Sequence, residues 1–161
     1  MLSLAQVEQL PLFHRETIPE SYLDEMGHMN IRWYMALFDE AGWGFFSSFG
    51  MTFDYCKANQ AGGFALQHFI RYLAEVRVGE TVAVRSRMLA RSAKRVHFMH
   101  FMVNETTGRL AATLEALGTH ADMRIRRTSP YPPHLSSRID AIIAEQNQLG
   151  WEAPVCGAIK P

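Results

Sequence analysis

The sequence predicts an α+β domain: one strand, one long apolar helix, a meander of four strands and a final helix. Three observations carry this. From Ile31 onward, Tyr34, Met35, Phe38, Ala41, Gly42, Phe45 and Phe46 recur at helical spacing, and Trp33, Leu37 and Trp43 make much of the opposite face apolar, so other structure must wrap the helix. Segments at about 64–76, 80–92, 94–104 and 109–122 read as strands. Short turns at Val78-Gly79-Glu80 and Glu105-Thr106-Thr107-Gly108 make consecutive strands antiparallel neighbours, so a single sheet can curl around the helix.

Taken in order, residues from about Phe13 to Pro19 form the first strand, and a turn leads to Asp24. Asn30 stands where an N-cap belongs. Phe49-Gly50 ends the helix and Gly62-Gly63 closes a connecting loop. In the second meander strand Val82, Val84, Met88 and Ala90 alternate with Thr81, Arg85, Arg87 and Arg91, which predicts one face on a core and one toward solvent or another subunit. Leu110, Ala112, Leu114, Ala116 and Gly118 alternate in the same way with Arg109, Thr113, Glu115 and Thr119. Pro130, Pro132 and Pro133 interrupt the chain, and Ile139, Ile142, Ile143, Gln146 and Leu149 mark a helix from Ser137 to about Gln148. Residues 1–149 are expected to form one domain, with 150–161 a poorly ordered or partner-bound tail.

Bulk properties narrow the function classes. Sixteen Lys plus Arg balance sixteen Asp plus Glu, so no global field recruits nucleic acid or an anionic membrane. No apolar run reaches the length of a membrane span, and the N-terminus lacks a secretory pattern. Cys56 and Cys156 fit neither zinc nor CxxC spacing and read as free thiols, which points to the cytoplasm. His97 and His100, three apart on a strand, point to opposite faces, so no zinc site is expected there.

The chemistry concentrates in Leu23-Asp24-Glu25-Met26-Gly27-His28-Met29-Asn30, just upstream of the helix. Unpaired N–H groups at a helix N-terminus polarise a carbonyl oxygen, and a nearby carboxylate supplies a nucleophile or base, a combination suited to acyl transfer. Asp24 could equally be a loop acid in an Asx-turn. His28 could bond that loop or act on substrate, and Asn30 could cap the helix, orient a water, or both. Gly27 serves backbone geometry, and Tyr34 sits one turn into the helix with a hydroxyl that needs a partner if buried.

At these residues the chain resembles the hotdog-fold acyl-CoA thioesterases of the 4-hydroxybenzoyl-CoA thioesterase type. Their motif of an acid, two residues, Gly-His-Val-Asn, Tyr and an acidic pair stands here as Asp24, Gly27, His28, Met29, Asn30, Tyr34, Asp39 and Glu40. The segments at Phe69–Val76, Lys94–Phe98, Ala112–Glu115 and Arg126-Arg127 are similar as well. The chain most resembles the subgroup found beside or fused to carnitine dehydrogenases, the betainyl-CoA thioesterases of carnitine metabolism. Two positions depart from that pattern: Tyr22 replaces a Trp, and Gln67 stands at a strand position where Glu is expected.

The resemblance implies a hotdog fold, in which a sheet of about five strands wraps the long helix, with an extra C-terminal helix. It implies hydrolysis of an acyl-CoA to free acid and CoA, which calls for neither metal nor cofactor, with Asp24, His28 and Asn30 as catalytic candidates. Gly27, Tyr34, Gln67 and His68 are the substrate-binding candidates. Betainyl-CoA or another short to medium acyl-CoA is the expected substrate. Lys94, Arg95, Arg126 and Arg127 are candidates for the CoA phosphates, because an anionic nucleotide needs cations outside the pocket. A homodimer is implied, or a tetramer built from dimers, with neither nucleic acid nor membrane as partner. The alternative is a non-catalytic hotdog protein that binds acyl-thioesters or serves as an assembly subunit.

Overall fold

The structure is a computed structural model that describes residues 2–161. In chain order it has α1 (Leu4–Val7), β1 (Leu12–Thr17), α2 (Ile31–Ser48), α3 (Phe53–Asn59), β2 (Ala61–Tyr72), β3 (Thr81–Arg91), β4 (Arg95–Asn104), β5 (Arg109–Asp122), β6 (Arg127–Thr128) and α4 (Pro133–Gln146). The sheet runs β1-β3-β4-β5-β2, and β6 pairs with β5. β1 lies antiparallel to β3, from Leu12 opposite Arg85 to Thr17 opposite Thr81. This is the α+β class expected.

The chain divides into two compact units, each taking part of α2 and of the central strands. The first holds residues up to Gly44 with 70–86 and 100–114. Tyr34, Leu37, Phe38 and Ala41 are buried on α2, and the Phe38 ring stacks on His100 at 5.9 Å. His100 Nδ1 lies 2.5 Å from Ser86 Oγ, so this buried imidazole is satisfied inside the core. Arg15 binds both oxygens of Glu105, at 2.8 and 2.9 Å.

The second unit holds 45–69, 87–99 and 115–161. Phe45, Phe46, Phe49 and Phe98 pack ring on ring at 4.7–6.0 Å. Burying one such side chain contributes about 1.5–3 kcal/mol. α3, in a connection for which the sequence predicts no element, starts where the Thr52 hydroxyl accepts the Tyr55 N–H and ends at Gln60 in the left-handed region, φ 49°.

Several boundaries differ from expectation. β2 begins at Ala61, so Gly62 and Gly63 lie in the strand and not in a loop. A Cβ at Gly62 would sit 2.9 Å from Met123 Sδ, and that close approach is what calls for glycine there. α4 begins at Pro133, because proline at the first helical position loses no hydrogen bond.

The largest correction concerns the polar face of β3. Arg87 was expected on an open sheet face but is 5% exposed. Its guanidinium donates to the Trp151 and Gln146 carbonyls and lies 4.4 Å from the Trp151 ring centroid. Gln146 Oε1 accepts the Met88 N–H. α4 and the segment after it therefore cover this face, and burial lowers the Arg87 pKa. Residues 150–161 are accordingly not a loose tail, since Trp151 and Ile159 are buried.

Candidate functional site

The Asp24 loop is a closed turn set against the start of α2. Leu23 and Met29 form an isolated antiparallel bridge, Asp24 N–H donates to the His28 carbonyl and Gly27 N–H to the Asp24 carbonyl. Gly27 has φ +80°, a conformation that disfavours any other residue. Met29 N–H donates to Val76 and Asn30 N–H to Tyr22, which pins both ends of the loop.

Asp24 uses its two carboxylate oxygens differently. Oδ1 accepts the Met26 N–H at 2.9 Å, the Asx-turn anticipated as a structural role. Oδ2 faces His28 Nδ1 at 3.6 Å, too long for a hydrogen bond and short enough for an ion pair when the imidazole is charged. The turn therefore fixes the carboxylate through one oxygen and leaves the other available.

Asn30 caps α2: its Oδ1 accepts the Arg32 N–H at 3.1 Å and its carbonyl accepts the Trp33 N–H. The Ile31 N–H has no protein acceptor among the described residues. Leu23, Asp24, Glu25, Met26, Asn30 and Arg32 line an open hollow of about 640 Å³. It joins the carboxylate and the helix start in one solvent-accessible place, within the first unit.

Tyr34 is not part of that lining. It is 4% exposed, its hydroxyl donates to the Ala74 carbonyl at 3.3 Å, and burial raises its pKa. Gln67 and His68 lie in the second unit on the exposed strand β2, and as consecutive strand residues they point to opposite faces. Phe64, Leu66 and Phe69 are also at least 38% exposed on this end strand of the sheet.

The four basic candidates share the second unit and are all exposed. The Lys94 carbonyl accepts the His120 N–H, while Arg127 pairs with Asp122 across the β5–β6 turn, so both flank the same end of β5. Arg126 sits at the turn with φ 52°. Arg124, which the sequence reading passed over, binds Asp122 and holds that carboxyl at about 2.

Two buried clusters also escaped the sequence reading. His97 Nε2 lies 2.8 Å from Glu115 Oε1, and Glu115 Oε2 accepts the Cys156 N–H at 2.6 Å. His120 bridges Tyr55 Oη at 3.0 Å and Ser129 Oγ at 2.9 Å. Residue spacing carries no signal for either, because both depend on which strands and segments meet. Among the described residues no group of three His, Cys, Asp or Glu side chains is placed to hold a metal ion, and no helix is long and apolar enough to cross a membrane.

Comparison with known proteins bears on the fold and the family. A Staphylococcus aureus protein solved in complex with CoA superposes with a TM-score of 0.79 at 24% identity, covering 91% of this chain and 96% of that one. The betainyl-CoA thioesterase of Pseudomonas aeruginosa is 25% identical over 140 residues, 87% of each chain. The L-carnitine dehydrogenase/betainyl-CoA thioesterase of Agrobacterium fabrum is 29% identical over 133 residues, which are 83% of this chain and only 27% of that longer protein. The fold is therefore the hotdog fold. Because residues 19–139 match the model of the thioesterase-like superfamily, the chain belongs to that superfamily.

Proposed function

We propose that the protein hydrolyses an acyl-CoA thioester to the free acid and CoA at the Asp24 hollow. The observation that carries this is an Asp24 whose Oδ2 accepts no hydrogen bond, in an open hollow that it shares with Asn30 and Arg32 at the start of an 18-residue helix. The thioester carbonyl oxygen accepts the Ile31 N–H, whose donor strength the helix dipole reinforces. Asp24 Oδ2 then either attacks the carbonyl carbon or removes a proton from an attacking water. In the first route the C–S bond breaks, CoA leaves as thiolate, and water hydrolyses the acyl-aspartate anhydride. In the second the tetrahedral adduct of water collapses with the same loss of thiolate.

His28 lies beside Oδ2, and its carbonyl accepts the Asp24 N–H that closes the loop. Asn30 holds the helix start in register with the loop, and Gly27 makes the turn possible. Tyr34 acts from the core, by holding Ala74. Lys94, Arg95, Arg126 and Arg127 are exposed cations suited to the CoA phosphates. The relatives' names put betainyl-CoA first among short to medium acyl groups to assay.

A homodimer fits β2, a 12-residue end strand with exposed apolar side chains and an unpaired edge. Gln67 and His68 would then lie at the subunit junction. The free thiols Cys56 and Cys156 fit a reducing compartment such as the cytoplasm. A screen of acyl-CoA substrates that follows thiol release, with light scattering on the same sample, tests the reading. Release above the uncatalysed rate from a dimer or larger species is expected, and no release from any acyl-CoA would defeat it.

A further inference from the structure

The hollow beside Asp24 contains one cation, Arg32, among its six lining residues. Its backbone N–H serves the Asn30 cap, while its guanidinium has no carboxylate partner among the described residues and lies 5.2 Å from the Trp33 ring centroid. Trp33 is in turn stacked on Tyr22, with centroids 3.7 Å apart and planes 8° from parallel. A quaternary ammonium group is recognised by open aromatic faces, and here the two rings cover each other while a cation already stands against one of them. Leu23 and Met26 give the same hollow an apolar part of its lining.

A guanidinium without a carboxylate partner, in a hollow that also has apolar lining, matches a carboxylate, which it binds through two parallel hydrogen bonds. A CoA phosphate is the weaker match, because the pantetheine arm separates the phosphates from a thioester held at Asp24, and Arg32 shares that residue's hollow. Resting on the thioesterase reading above, we propose that Arg32 binds the tail carboxylate of an ω-carboxyacyl thioester. The enzyme then selects acyl groups that end in an anion over uncharged or quaternary-ammonium groups of similar length.

The test compares glutaryl-CoA, valeryl-CoA and betainyl-CoA in the wild type, Arg32→Gln, Arg32→Glu and Glu25→Gln. Wild type should favour glutaryl-CoA over valeryl-CoA in kcat/KM. Arg32→Gln should lower that ratio at least about tenfold, the scale of a lost charge-assisted pair, and Arg32→Glu should turn the preference toward betainyl-CoA. A ratio that ignores Arg32 overturns the proposal. So does a preference for betainyl-CoA that Glu25→Gln abolishes, since the hollow would then be built for a cation. Equal losses on both acyl groups that vanish with acyl-pantetheines would make Arg32 a phosphate contact, which also overturns it.

Calorimetric binding of glutaryl-CoA and valeryl-CoA to the same proteins separates the two readings. Affinities whose ratio depends on Arg32 without any turnover would sink the hydrolytic reading and sustain this one. Turnover with an Arg32-independent ratio would do the reverse.

Discussion

Glu115 Oε1 lies 2.8 Å from His97 Nε2, and the other oxygen of the same fully buried carboxylate accepts the Cys156 N–H. One side chain thus ties β5 to β4 and to the C-terminal segment. A buried carboxylate is tolerated only when both oxygens are satisfied, and removing it strands two donors. Glu115→Ala should cost about 3–5 kcal/mol in chemical denaturation. In a Cys56→Ser background the same change should speed thiol labelling of Cys156, whereas an unaltered labelling rate would mean that other contacts hold the segment.

Arg87 makes a second link to that segment, through the Gln146 and Trp151 carbonyls and the Trp151 ring. Arg87→Met should cost about 2–4 kcal/mol, since it removes the buried donor that the Gln146 and Trp151 carbonyls share. Exposed Arg109 is the comparison, where Arg109→Met should stay within about 0.5 kcal/mol. Equal denaturation midpoints for the two variants would show that the carbonyls find other donors.

His120 is expected to make stability depend on pH. Burial lowers its pKa from the ordinary 6.5, so between the two values the unfolded chain binds a proton that the folded chain does not. Its contribution is therefore complete above about pH 6.5 and is lost as pH falls from there toward the folded value. The urea midpoint of wild type should drop more between pH 7.5 and 5 than that of His120→Gln. Parallel slopes would assign the pH dependence to other groups.

The exposed cations at the end of β5 give a prediction about CoA. Neutralising Lys94, Arg95, Arg126 or Arg127 should raise KM for full acyl-CoA in a salt-sensitive way and spare an acyl-pantetheine that lacks the nucleotide. Wild-type behaviour in all four variants would place the phosphates elsewhere. Exposed Arg109 is the control, and Arg109→Gln should leave KM for both substrates unchanged.

What the sequence made legible was local. The stripe through Tyr34, Phe38, Ala41 and Phe45 foretold α2, and Asn30 caps it as its side chain suggested. The Asp24 loop was legible as a motif and as an Asx-turn alike, because one oxygen suffices for the turn. Long-range covering was not legible: the alternation along β3 is real, but α4 and Trp151 arrive from about 60 residues away to bury Arg87. α1 and α3 are too short to show a periodic stripe and are marked only by the caps Ser3 and Thr52. Gln67 and His68 stand on an exposed strand apart from the Asp24 loop, a separation that their sequence spacing does not display.

The most direct test is the turnover of Asp24→Asn, which keeps the Oδ1 acceptor of the turn while removing the carboxylate charge. Asp24→Asn should leave the denaturation midpoint and oligomeric state unchanged and lower kcat on the best acyl-CoA at least about a hundredfold. Turnover near wild type in that variant would contradict the assignment of the reaction to Asp24.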